Sequence, residues 1–191
     1  MDRTPMQTDL GHGAESETTK GTLFIYDSFE LTEEGEASAD GGLDVAALQM
    51  LTKWAEQRWM TRAVLYVPHE ETLKRMGVHY PSPLYKREKH LKETVERLDA
   101  AVPFSIDGWE HKRKKYTPID VALRYMHERY ASPYFIGMSA AYANRFASYQ
   151  GFEDWIRRLR LVVVEEARPF DAHPLLRKHE NRWHLLRRSE R

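Results

Sequence analysis

An α/β fold is what this sequence predicts: an open, mostly parallel sheet of about five strands with helices on both faces, a PIN- or Rossmann-like three-layer sandwich. Three observations carry that expectation. Short apolar runs rich in β-branched and aromatic residues, such as TLFIY (22–26), RAVLYVP (62–68) and LVVVEE (161–166), alternate with stretches whose apolar residues recur at helical spacing. The runs are continuously apolar, which suits strands covered on both faces and not strands with one wet face. The chain of 191 residues has the size of one domain with extensions, and no apolar run approaches the roughly 18–20 residues that cross a bilayer.

Taken in order, residues 1–20 form a polar tail without periodicity, and TLFIY is the first strand, ending in Asp27. An acidic, Gly-rich loop spans 32–42. Asp44 then caps a helix whose apolar positions are Val45, Leu48, Leu51, Trp54 and Ala55. RAVLYVP is the second strand, stopped by Pro68. A short helix over 69–76 ends at Gly77, and helix 84–99 carries Leu84, Leu91, Val95 and Leu98 on one stripe. AVPFSID (101–107) is the third strand, and Pro103 places it at a sheet edge. Thr117-Pro118-Ile119-Asp120 reads as a capping box that opens a helix running to about Tyr130. PYFIGMS (133–139) is the fourth strand, AAYANRFASY and GFEDWIRRLR are helices, and LVVVEE is the fifth strand. The domain thus covers 21–167, and the remainder, 168–191, is a basic extension in which PLLRKHENRWHLLRR reads as a last helix.

Composition removes several chemistries. The chain has no cysteine, which excludes disulfides, thiolate zinc sites and a Cys nucleophile. It has no GxGxxG, no GxxxxGK[ST] and no HExxH, and its histidines lack ligand spacing on any helix. The start lacks a basic segment followed by an apolar one, so no secretory leader is expected and a cytoplasmic protein is. Formal net charge is zero, yet the first 45 residues hold eleven acids against Arg3 and Lys20. The rest is correspondingly basic, with a concentration at HKRKK (111–115). Such a run suits a phosphate-bearing partner or a plain solvated face.

In open parallel sheets the site lies beyond the C-terminal ends of the strands. The candidates there are Asp27 and Glu30, His69 to Glu71, Asp107 with Glu110, Gly137 to Asn144, Glu165 with Glu166, and Asp120 at a helix start. Converging carboxylates among them would hold a hard cation. Each also has a plainer reading: Asp27 as a turn cap, Asp120 as the capping-box acid, Asp107 and Glu110 as surface residues.

LFIYDSFE (23–30), KKYTPIDVALRYMHERY (114–130), YFIGMSAAYANRF (134–146) and LRLVVVEE (159–166) resemble, in order and spacing, the motifs of the NYN branch of the PIN-like nucleases. The resemblance implies a Mg²⁺- or Mn²⁺-dependent ribonuclease with Asp27 and Asp120 as catalytic metal ligands and Glu30 as a third. It also implies RNA contacts from Lys112, Arg113, Lys114, Lys115, Ser139 and Asn144. Position 30 is Glu where that family has Asn, Lys115 stands five residues before Asp120, not three, and the GMSAAYAN loop holds no acid. A binding module of the same fold, for nucleic acid or nucleotide and without catalysis, is therefore the alternative. A second alternative is a Ser-dependent esterase-like hydrolase, because Gly137-Met138-Ser139-Ala140-Ala141 imitates a nucleophile elbow, with Asp171 and a tail histidine following. No membrane partner is expected, and a homodimer is left open.

Overall fold

The computed structural model describes residues 21–37, 40–132 and 134–188. The polar tail expected over 1–20 lies outside them. Six strands form one sheet: β1 (Thr22–Tyr26), β2 (Arg62–Tyr66), β3 (Phe104–Asp107), β4 (Tyr134–Ser139), β5 (Arg160–Val164) and β6 (Trp183–Leu186). Their order is β3-β2-β1-β4-β5-β6, and every pair is parallel.

The helices between them are α1 (Val45–Gln57), α2 (Glu70–Arg75), α3 (Leu84–Val95), α4 (Trp109–Arg113), α5 (Ile119–Arg129), α6 (Ala140–Ala147), α7 (Phe152–Ile156) and α8 (Pro174–Lys178). The two cores follow from the period-two pleat of the strands. Leu23 and Ile25 of β1, Ala63 and Leu65 of β2, and Val162 and Val164 of β5 pack with Leu48 and Leu51 of α1 and Leu84 and Leu91 of α3. Phe24, Tyr26, Val64, Tyr66, Ile136, Leu161 and Val163 point the other way. They meet Leu123 and Met126 of α5, Phe146 of α6, Trp155 of α7 and Leu176 of α8. The direction in which successive strands are added thus reverses between β1 and β4, where the helices change faces. Gly137 lies at that seam, and a Cβ there would stand 3.0 Å from Leu51 of α1, so only a bare Cα lets the helix lie this close on β4.

Most of the expected elements form. Asp44 caps α1, its Oδ1 accepting from Ala47 N at 2.7 Å, and β3 is an edge strand as Pro103 indicates. Three expectations are corrected. The last segment is no continuous helix: α8 stops at Lys178, a short 3-10 turn follows, and Trp183–Leu186 become the sixth strand beside β5. Arg182 explains the break, because its guanidinium is drawn to the carbonyls of Ile156, Arg157 and Leu159 at 2.8–3.0 Å, which pins the chain in extended form against α7. Thr117 does not cap α5. Pro118 holds the N-cap position, while Thr117 N donates to Thr72 Oγ1 and Thr117 Oγ1 accepts from Arg113 Nε. Asp107 and Glu110 are buried and not surface residues, since each collects donors from its neighbours. No helix among the described residues is long and apolar enough to cross a membrane.

Candidate functional site

The C-terminal rim is built from the turns that leave β1 to β4. After β1 the chain bends sharply. Asp27 Oδ2 accepts from Phe29 N at 2.9 Å, and Phe29 adopts a left-handed φ of 54° while its ring stays buried. Asp27 Oδ1 accepts from Leu43 N at 3.1 Å, so one carboxyl ties both ends of the 27–44 loop. Gly42 allows this approach, because a Cβ there would lie about 3.0–3.2 Å from both carboxyl oxygens of Asp27. Asp27 has no exposed surface, and burial pushes its pKa up to about 8, helped by the nearby charge of Asp40 and opposed by the two N–H donors and Arg87.

Arg87 of α3 is the hub of the rim. Its buried guanidinium donates to Ser82 O, Ser28 O and Pro68 O at 2.7–2.8 Å, with Glu30 and Glu70 at 3.8 and 3.9 Å. Three loops are thereby fastened to one side chain. Glu110 does the same for the next pair of connections. It accepts from Tyr66 Oη, His69 N and Thr72 Oγ1, all at 2.7 Å, while burial pushes its carboxyl above the ordinary range.

The expected metal-binding acids are not gathered. Glu30 is engaged by Ser82 N and Oγ. Asp120 pairs with Arg124 and accepts from Trp155 Nε1, and the Arg124 contact holds its carboxyl below the usual range. Only Asp27 and Glu30 share a neighbour, Arg87. Among the described residues no group of three Asp, Glu or His side chains converges on one point. This donor set does not fit a shared divalent cation.

Of the other expected contact residues, Ser139 and Asn144 have structural duties. Ser139 is buried and caps α6, its Oγ accepting from Tyr142 N at 3.2 Å. Asn144 holds the start of α8 through Asp171 O and His173 N, and the Asp171 side chain pairs with Arg177. Lys112, Lys114 and Lys115 are exposed, while Arg113 lies 5.0 Å over the Trp109 ring.

A cavity of 310 Å³ opens on the same rim, between α2, the turn before α5, and α6. Tyr26, the last residue of β1, lines it together with Arg75, Met76, Tyr116, Arg145 and Tyr149. Arg75 sits 5.2 Å over the Tyr116 ring and Arg145 sits 5.0 Å over Tyr142. The Nη1 of Arg145 is shielded from solvent and has no hydrogen-bond partner among the described residues. A guanidinium N–H held this way lacks an acceptor that the site itself does not provide. Sequence reasoning passed over Arg75 and Arg145. The available signal was Arg145 itself, three residues after Tyr142 and so on the same face of the helix.

No family model matches the chain, and no curated protein does. Among solved structures it is similar to Plasmodium falciparum nicotinic acid mononucleotide adenylyltransferase, complexed with NaAD and, in a second structure, with APC. Both superpose with a TM-score of 0.61 at 12% identity, over 89% and 90% of this chain and 76% of that one. At this identity the likeness is one of fold, and the strand order makes that fold Rossmann-like.

Proposed function

We propose that the chain is a nucleotide-binding α/β module whose ligand occupies the cavity beside Tyr26. The observation that carries this reading is the pair of cations, Arg75 and Arg145, that line one aromatic pocket at the C-terminal rim. A phosphate group is matched by the two guanidinium groups at this opening. Tyr116 and Tyr149 offer ring faces for a base. The volume of 310 Å³ falls at the lower end of small-ligand pockets and suits a mononucleotide better than a dinucleotide. The similar adenylyltransferase structures, with NaAD and APC bound, lend support from the fold.

Calorimetric titration with AMP, ATP, adenosine and inorganic phosphate tests the reading. AMP or ATP should bind more tightly than adenosine or phosphate alone. Arg145→Met should weaken nucleotide binding about 10–100-fold, the loss of a hydrogen bond worth roughly 1.5–3 kcal/mol to a charged group. Equal binding to the variant, or no binding at millimolar nucleotide, would overturn the assignment.

A further inference from the structure

A second feature lies away from that cavity, along the edge of the sheet. Among the described residues, β3 has no strand on its outer side. Its residues Phe104, Ser105 and Ile106 are only half-buried, unlike the apolar residues of β1 and β2. The hydrogen bonds from Ala63 N to Pro103 O and from Val67 N to Asp107 O set the alternation of the ladder. Positions 103, 105 and 107 therefore face β2, and Phe104 and Ile106 turn their N–H and C=O groups outward. Two grooves flank this edge and share Glu88, Ser105 and Ile106. One, of 520 Å³, lies against α3 and is lined by Tyr85, Val95, Phe104 and Ile106, with Lys89 and Lys92 at its side. The other, of 860 Å³, lies against α4 and α5. Trp109 and Tyr125, stacked 4.1 Å apart, form an aromatic wall there, and Arg62, His111, Lys112 and Arg129 line it. Ser105 Oγ is shielded and has no partner among the described residues.

We propose that the β3 edge docks an extended peptide in which acidic and apolar residues alternate. An added strand satisfies the outward backbone groups of Phe104 and Ile106 and sends its side chains alternately to the two sides. One set enters the apolar groove beside α3, and the other meets the cations beside α4 and α5. Charge complementarity fixes the sign. Of the acids along these grooves, Asp107 is already engaged by Tyr125 Oη, Tyr130 Oη and Trp109 N, which leaves Glu88 and Glu96 against the basic residues. A polynucleotide would match the cations but not the apolar groove or the backbone pattern.

The test uses a fluorescent ten-residue peptide alternating glutamate and valine. It also uses a block peptide of the same composition with all glutamates first, and a ten-nucleotide single-stranded RNA. The alternating peptide should bind in the micromolar range at low salt, at least tenfold tighter than the block peptide, and should slow amide exchange at Phe104 and Ile106. Lys112→Glu combined with Arg129→Glu should weaken it at least tenfold, and because both side chains are exposed, the melting temperature should hold. Equal affinity for the block peptide would reduce the effect to bulk charge and overturn the proposal. So would RNA binding at the same edge more tightly than the peptide, or concentration-dependent self-association that protects the β3 amides without any peptide.

Discussion

Asp27 concentrates the chemistry of the first turn in a single carboxyl. Its position beyond the first strand was legible in the sequence, because Asp after a short apolar run marks a turn. Its full burial was not, because that depends on Gly42 and Leu43, about fifteen residues downstream, folding back over it. Its titration is open to direct measurement. The pKa is about 8 in the folded chain and about 3.9 in an unfolded one. The folded state therefore holds the extra proton between those values, so Asp27 lowers stability progressively as pH rises from about 4 to about 8, with no further change above that. Asp27→Asn removes this dependence but leaves one of the two N–H donors without an oxygen acceptor. The variant should be destabilised by about 1–3 kcal/mol near pH 5. Relative to wild type it should recover as pH rises toward 8, which denaturant melts at several pH values would show. A constant deficit across that range would mean that Asp27 is ionised throughout. Arg145 shows the opposite kind of legibility: its type and spacing are plain in the sequence, but a shielded N–H without a partner is a property of packing alone.

Elements with strong local signals, such as the Asp44-capped α1 and the apolar runs of β1, β2 and β5, are those the sequence predicts well. Elements fixed by distant side chains are the ones it misses. The start of α5 has every mark of a capping box, yet the Thr117 hydroxyl is turned to Arg113, and the Asp120 carboxylate to Arg124 and Trp155. The backbone of Thr117 is held instead by Thr72, whose hydroxyl also donates to Glu110, so one side chain joins α2, α4 and α5. Thr72→Val keeps the shape and removes both bonds, leaving the Thr117 N–H and one oxygen of Glu110 short of partners in the interior. We expect a loss of roughly 2–4 kcal/mol in urea unfolding, given about 1–3 kcal/mol for each buried unsatisfied group. Thr72→Ser, which retains the hydroxyl, should restore most of it. If Thr72→Val is as stable as wild type while Thr72→Ser is not, methyl packing and not the hydroxyl joins these helices. WHLL at 183–186 was ambiguous for a related reason. Four apolar-rich residues fit either period, and only the Arg182 contacts to the end of α7 decide for a strand.

At the scale of the whole molecule, the reversal between β1 and β4 places the rim and its cavity where open parallel sheets bind ligands, and the C-terminal segment completes the sheet that supports them. β6 covers the edge of β5, Leu176 of α8 is fully buried in the core, and Trp183 Nε1 donates to Leu176 O at 2.8 Å. Asn144 of α6, the helix that also carries Arg145, grips the same segment through Asp171 and His173. Residues 168–188 are thus coupled to the site helix and are not an appendage to a domain ending at 167. Truncation after Arg168 strips a buried leucine worth about 1.5–3 kcal/mol. It also removes the partners of Asn144 and uncovers a β5 edge whose residues Leu161 to Val164 are wholly apolar. The truncated chain should melt at least 10 °C lower or fail to give a monomer by size-exclusion chromatography. Arg182→Met in the full chain should act in the same direction but less, by about 1–3 kcal/mol, because it releases the carbonyls at the end of α7 while leaving β6 its backbone bonds to β5. A truncated monomer with an unchanged melting temperature would show the domain to be complete at 167, and the sixth strand would then be dispensable for the fold that holds the pocket.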